Sequence, residues 1–145
     1  RLYRDARIFS IYEGTTQLQV VAAIRYISNG TYLNIIKEML EKEVTEELQP
    51  LKARVVEMVK LYEQALEYVK EAQDQEMHDF LARRLYNITA EIIMSLLILE
   101  DATRSAELFA KSANVYVRMA QADVIGDHAY IMNFIKEDLP SFRAE

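Results

Sequence analysis

Three glycines and two prolines in 145 residues leave this chain few places to turn sharply. A sandwich or barrel of this length needs many tight connections, and those draw on such residues. Long helices need few. With 51% apolar residues the chain has enough material for a core and is no disordered tail. The fold class that follows is all-α.

The few breaks divide the sequence. Ser28-Asn29-Gly30-Thr31 is a turn cluster, with Gly30 suited to a left-handed helix terminus and Thr31 to an N-cap. Gln49-Pro50 marks a second break, because proline disfavours helix in the residue before it and starts a new helix well. A polar run at Gln73-Asp74-Gln75 makes a third, and a fourth falls between Ser105 and Ser112. Between the breaks, apolar residues recur at three- and four-residue steps. The first stripe is Leu33, Ile36, Leu40, Val44 and Leu48; the second runs from Leu51 through Val55, Met58, Tyr62 and Leu66 to Val69. The third runs from Met77 through Ile88 and Ile92 to Leu99, apolar on nearly all sides near its middle. The fourth carries Val115, Met119, Ala122, Ile125, Ala129, Met132 and Ile135 and ends near Asp138-Leu139-Pro140. Four such stripes on short loops predict an antiparallel up-down four-helix bundle over residues 31–145, preceded by a short helical segment.

Residues 1–28 read differently, with a short helix over Arg1–Ser10, a loop over Ile11–Thr15, and a helix from Thr16 to Ile27 capped by Thr15 or Thr16. Their apolar residues, Leu2, Ile8, Phe9, Ile11, Leu18, Val21 and Ile24, exceed what one packing face requires. This piece is expected to contact something beyond the bundle. The chain opens on Arg1 rather than Met, and it reads as a piece of a longer protein.

Most chemistry is excluded. With no cysteine there is no disulfide or thiolate site, which fits a reducing compartment, and a cytoplasmic location is expected. A net charge of −6 argues against a nucleic-acid binder. The most apolar run, Ile92–Leu99, falls far short of the roughly 20 residues that span a bilayer, so no transmembrane segment is expected. There is no glycine-rich phosphate loop and no nucleophile elbow. His78 and His128 lack the Glu-x-x-His spacing of a di-iron bundle, so no metal is expected and both read as solvated or hydrogen-bonded helix residues. Glu38 and Lys42 have the spacing of a surface ion pair, and the tyrosines and methionines read as core, interface or gap-filling residues.

The informative stretch is Tyr3–Arg25, YRDARIFSIYEGTTQLQVVAAIR. Tyr3-Arg4-Asp5, Ile8, Ile11-Tyr12-Glu13-Gly14-Thr15 and Gln17-Leu18-Gln19 follow a YRD-x-x-I-x-x-IYEGT-x-x-(I/L)Q pattern. It resembles the C-terminal end of the catalytic region in the acyl-CoA dehydrogenase family. Taken alone, a carboxylate on a loop before a helix can point into a cleft, and Gly14 lets backbone approach a ligand closely. The helix start behind it offers unpaired amides and a positive dipole end to an anionic group.

The resemblance implies more. Residues 1–30 would close the catalytic helical domain, and residues 31–145 would be an appended C-terminal bundle. Glu13 would be the base that removes the α-proton of an acyl-CoA thioester. Thr15 and Gln17 match positions that contact FAD, Gly14 lies at the thioester, and Arg25 matches a basic residue near the CoA. Val20 departs from the pattern, since many relatives carry arginine there. The implied parent is a flavoprotein of fatty acid metabolism, a homodimer passing electrons to electron-transfer flavoprotein or a similar acceptor. The isolated chain is expected to hold no FAD and to be inactive. The competing readings are a non-catalytic interaction or oligomerisation module of a degenerate or redirected member, and an oxidase or nucleic-acid-associated relative within the same superfamily, the last disfavoured by the negative charge.

Overall fold

The computed structural model describes residues 16–142. Its helices are α1 (Thr16–Ser28), α2 (Thr31–Glu41), α3 (Gln49–Glu71), α4 (Gln75–Arg104) and α5 (Ala106–Asn133). Short 3-10 turns cover Glu46–Leu48 and Lys136–Phe142, and no strand occurs among the described residues. The expected helix over Arg1–Ser10 and the loop behind it lie outside the described residues.

Cross-helix pairs fix the directions. Arg84–Asp127 at 2.5 Å and Tyr116–Glu91 at 2.8 Å set α5 antiparallel to α4. Arg54–Gln121 at 2.6 Å and Gln64–His128 at 3.1 Å set α5 parallel to α3. Lys37–Glu63 at 2.7 Å ties α2 to α3, and Lys42 just beyond α2 reaches Glu100 at 2.8 Å. Helices α2 to α5 therefore alternate up and down. Their core is continuous through Ile36, Val55, Met58, Tyr62, Ile88 and Ile92, all fully buried.

Local chemistry explains most of the joints. Gly30 takes φ 83°, a left-handed conformation that costs a glycine little. It occupies the cap position of α2, so Thr31 is not the N-cap. Thr31 is instead the first helical residue, and its N–H and hydroxyl both donate to Asn29 Oδ1, at 3.0 and 2.7 Å. Asp74 caps α4, its side chain accepting from the Met77 amide at 3.0 Å. Gln73 before it makes the turn at φ 47°. The fourth break narrows to Ser105 alone.

Three expectations need correction. The stripe from Leu33 to Leu48 is not one helix: α2 stops at Glu41 and Lys42 is extended. The chain must reverse between α2 and α3, and it does so here. Leu48 stays buried and Val44 partly so, which kept the four-residue rhythm alive through a turn. Gln49 is helical despite preceding proline, since Pro50 sits in the first turn of α3 where its missing N–H costs nothing. Lys42 pairs with Glu100, not with Glu38.

The largest correction concerns α5. Its core stripe is Ala113, Val117, Ala120, Val124 and Ile131. The stripe expected to be buried lies on the other side: Val115 is 54% exposed, Met119 58%, Ile125 50% and Ile135 50%. Met94, Met119 and Met132 are therefore not gap-fillers in the core. The helix has two apolar sides, and the bundle takes one.

Candidate functional site

Glu13, Gly14 and Thr15 lie outside the described residues. What can be described is the helix they lead into. α1 begins at Thr16 and carries no acidic side chain in its first turn, the end of the helix dipole that favours negative charge. Gln17 lies in that first turn. Arg25 is in the last turn and exposed, about 12 Å further along the helix axis and roughly 80° round from Gln17. The two are not brought together.

α1 is held by its inner side. Val20 and Ile27 are each 1% exposed, with Ala23 and Ile24 partly buried between them. Ser28 Oγ meets His78 Nε2 at 2.7 Å, tying the end of α1 to the start of α4. Tyr26 packs edge-on against Tyr32 of α2, ring centroids 6.5 Å apart. The burial of Val20 explains why a long cation would not suit this position: arginine there would desolvate a charge. Leu18, Val21 and Tyr26 are exposed on the other side, as the apolar excess of this segment led us to expect.

Two recesses stand out that sequence reasoning missed, and neither includes Arg25. A cleft of about 630 Å³ opens between α3 and α5, with Leu51 and Ala110 in its apolar wall and Arg54 and Arg118 at its sides. A smaller one, of about 210 Å³, lies between α1, α2 and α4, with Ile27, Tyr32, Thr89 and Ile93 in its wall. Near it, the Tyr62 hydroxyl is buried beside Thr89 without a hydrogen bond of good geometry, while Thr89 Oγ1 donates to the Leu85 carbonyl at 2.7 Å. Burial pushes the Tyr62 phenol up, against a smaller lowering effect of Thr89, so it stays neutral. No periodic pattern could have signalled either recess, since both depend on how helices splay.

The remaining polar groups are structural. Arg84 bonds Asp127 and lies 3.6 Å over the Tyr130 ring, and Asn87 donates to the same carboxylate at 3.2 Å. The Tyr116 phenol is raised above its ordinary value by burial first and then by its bond to Glu91. His128 is lowered by burial. Among the described residues no three His, Asp or Glu side chains gather as a metal site, and no helix is long and apolar enough to cross a membrane.

Comparison with known proteins places this arrangement. The family described as acyl-CoA dehydrogenase C terminal matches residues 28–139. Among curated proteins none matches. A solved structure described as an acyl-CoA dehydrogenase family protein from Porphyromonas gingivalis is 38% identical, with a TM-score of 0.73. The match covers 79% of this chain and 98% of that one. The chain is thus a C-terminal piece belonging to the acyl-CoA dehydrogenase family.

Proposed function

We propose that this chain ends a flavin-dependent acyl-CoA dehydrogenase and that Glu13 is the base of its reaction. The observation that carries the reading is the Ile11-Tyr12-Glu13-Gly14-Thr15 pattern standing directly before the helix that starts at Thr16. Glu13 removes the α-proton of the acyl thioester, and an apolar acyl pocket raises its pKa toward the working pH. Thr15 and Gln17 would hold part of an FAD, which when bound would supply the acceptor for the β-hydride. The acid-free first turn of α1 fits an anionic group of that kind. Gly14 lets the backbone approach the thioester, and exposed Arg25 offers its charge to the CoA. Residues 1–30 close the catalytic helical domain and residues 31–145 form the appended bundle. The parent is a cytoplasmic homodimer that passes electrons to electron-transfer flavoprotein or a similar acceptor. The chain alone lacks most walls of a flavin site and is inactive.

The test is Glu13→Gln in the full-length parent. It keeps size and hydrogen-bonding reach and removes the base, so anaerobic bleaching of the flavin by saturating acyl-CoA should slow by about 100- to 10,000-fold. Equal bleaching rates would show that Glu13 is not the base. One observation favours a second reading, in which the bundle serves as a non-catalytic interaction module: the exposed apolar side of α5.

A further inference from the structure

The outer side of α5 lies opposite its core stripe and is apolar along most of its length, broken by Ser112. Written as heptads, Leu108, Val115, Ala122 and Ala129 take the d positions, with Ser112, Met119 and Gly126 at a positions. All seven are exposed. We propose that this side pairs with the same side of a second copy of the chain, the two α5 helices running parallel and in register.

Charge selects that occupant and that direction. Three charged residues flank the row: Lys111 and Arg118 at g positions, and Asp123 at an e position. In a parallel pair each g residue meets the e residue five places on in the other copy. Arg118 then meets Asp123 of the second copy, and symmetry makes the contact twice. Lys111 meets Tyr116 of the second copy, so no like charges oppose. An antiparallel pair sets g against g and e against e, keeping Arg118 and Asp123 apart. Both groups are available: the Arg118 Nε donates to Asn114 at 2.9 Å, which leaves its terminal nitrogens, and Asp123 makes no ion pair among the described residues.

Gly126 points the same way. A glycine inside a helix weakens it, and a Cβ added there would meet nothing within 4 Å in this chain. The chain itself supplies no packing reason for it. A second backbone lying close over Ala122 and Gly126, one turn apart, does. The row runs from Leu108 to Ala129, about 32 Å, so the contact can be continuous along the helix.

The experiment uses the chain as it stands, by sedimentation at increasing concentration. A dimer is expected. Ala122→Glu should raise its dissociation constant by about 100-fold or more while helical circular dichroism is kept, because a carboxylate would be buried unpaired. Arg118→Asp should weaken the dimer and Arg118→Asp with Asp123→Arg should restore it. The chain has no cysteine, so single cysteines report register directly. Ser112→Cys, Ala122→Cys and Ala129→Cys should each cross-link to their own copy on mild oxidation, as disulfide geometry allows only between adjacent positions. A monomer at all concentrations would overturn the proposal. So would a dimer that survives Ala122→Glu, or cross-linking at one position only, which marks an antiparallel pair. Binding of a monomeric chain to anionic phospholipid vesicles would assign the face to a membrane surface instead.

Discussion

Along α5, Val117 and Val124 are sealed against the rest of the bundle, whereas Val115 and Ile125, one or two places away, stand half in solvent. Residue type does not separate the two sides. The buried stripe is built from two alanines, two valines and an isoleucine, and the exposed one carries valine, isoleucine and two methionines as well as alanine. Facing position decides. A helix with one apolar stripe reports where its core is, but a helix with two reports only that two surfaces want covering. The smaller buried residues let α5 lie close to α3 and α4, and close approach selects that side for the interior.

The comparison can be broken most decisively by placing one charge on each side. Val117→Asp buries an unpaired carboxylate and should cost about 4 kcal/mol or more, enough to unfold the bundle. Val115→Asp, read in dilute solution where association plays no part, should stay within about 0.5 kcal/mol of the parent. Urea unfolding followed by circular dichroism reads both. If the two substitutions cost the same, the assignment of inner and outer sides is wrong.

A smaller effect sharpens the contrast at α1, which shares the pattern of one sealed and one open side. Ile27→Ala removes a side chain buried between α1 and the bundle and should cost about 2–4 kcal/mol. Unfolding should remain a single transition if α1 is part of the cooperative unit. A separate early transition for α1, seen in hydrogen exchange of its amides, would show that the segment docks without joining the core.

The smallest effects are electrostatic and concern the far end of the bundle. Lys136 bonds Asp74, and that contact, followed by the Met77 amide, holds the Asp74 carboxyl below its ordinary 3.8. The folded chain thus binds this proton less tightly than the unfolded one. The stabilisation is complete above about pH 4 and fades as pH falls through the lower folded value. Lys136 is raised from 10.5 by the same partner, so its share is present below that value and fades as pH rises beyond it. His128, lowered from 6.5 by burial, acts in a third window. Its stabilisation is present above about pH 6.5 and declines as pH falls through its folded value. Melting temperatures from pH 7 down to pH 3 should show a shallow decline setting in below the ordinary 6.5 that His128→Gln removes, and a later one that Asp74→Ala removes. A profile unchanged by both substitutions would contradict these assignments.

Much of this architecture was legible in the sequence because helix breaks are chemically specific. Gly30, Asp74 and Pro50 each do a job few residues can do, and each marks a boundary within one or two residues. The turn at residues 42–45 was not legible, since Val44 and Leu48 continue a helical rhythm while serving a reversal of the chain. The side of α5 that faces the core was not legible either, because periodicity cannot rank two stripes. The candidate site is the opposite case. Its signal is a short string of residue types from Tyr3 to Gln19, with hardly any periodicity to read, and only resemblance gave it meaning. What α1 adds is a fixed helix behind that string, with Arg25 exposed and Val20 committed to packing.

The single residue between the two longest helices has a consequence for how this domain can change length. Ser105 accepts from the Phe109 amide and donates to the Asp101 carbonyl, so the link has no slack to absorb an extra residue. An insertion on either side would turn everything beyond it by about 100° and advance it by about 1.5 Å. Inserted between Ser105 and Ala113, it would swing charged Asp123 into the place of the core residue Val124. A change of length at this joint therefore scrambles the inner side of α5.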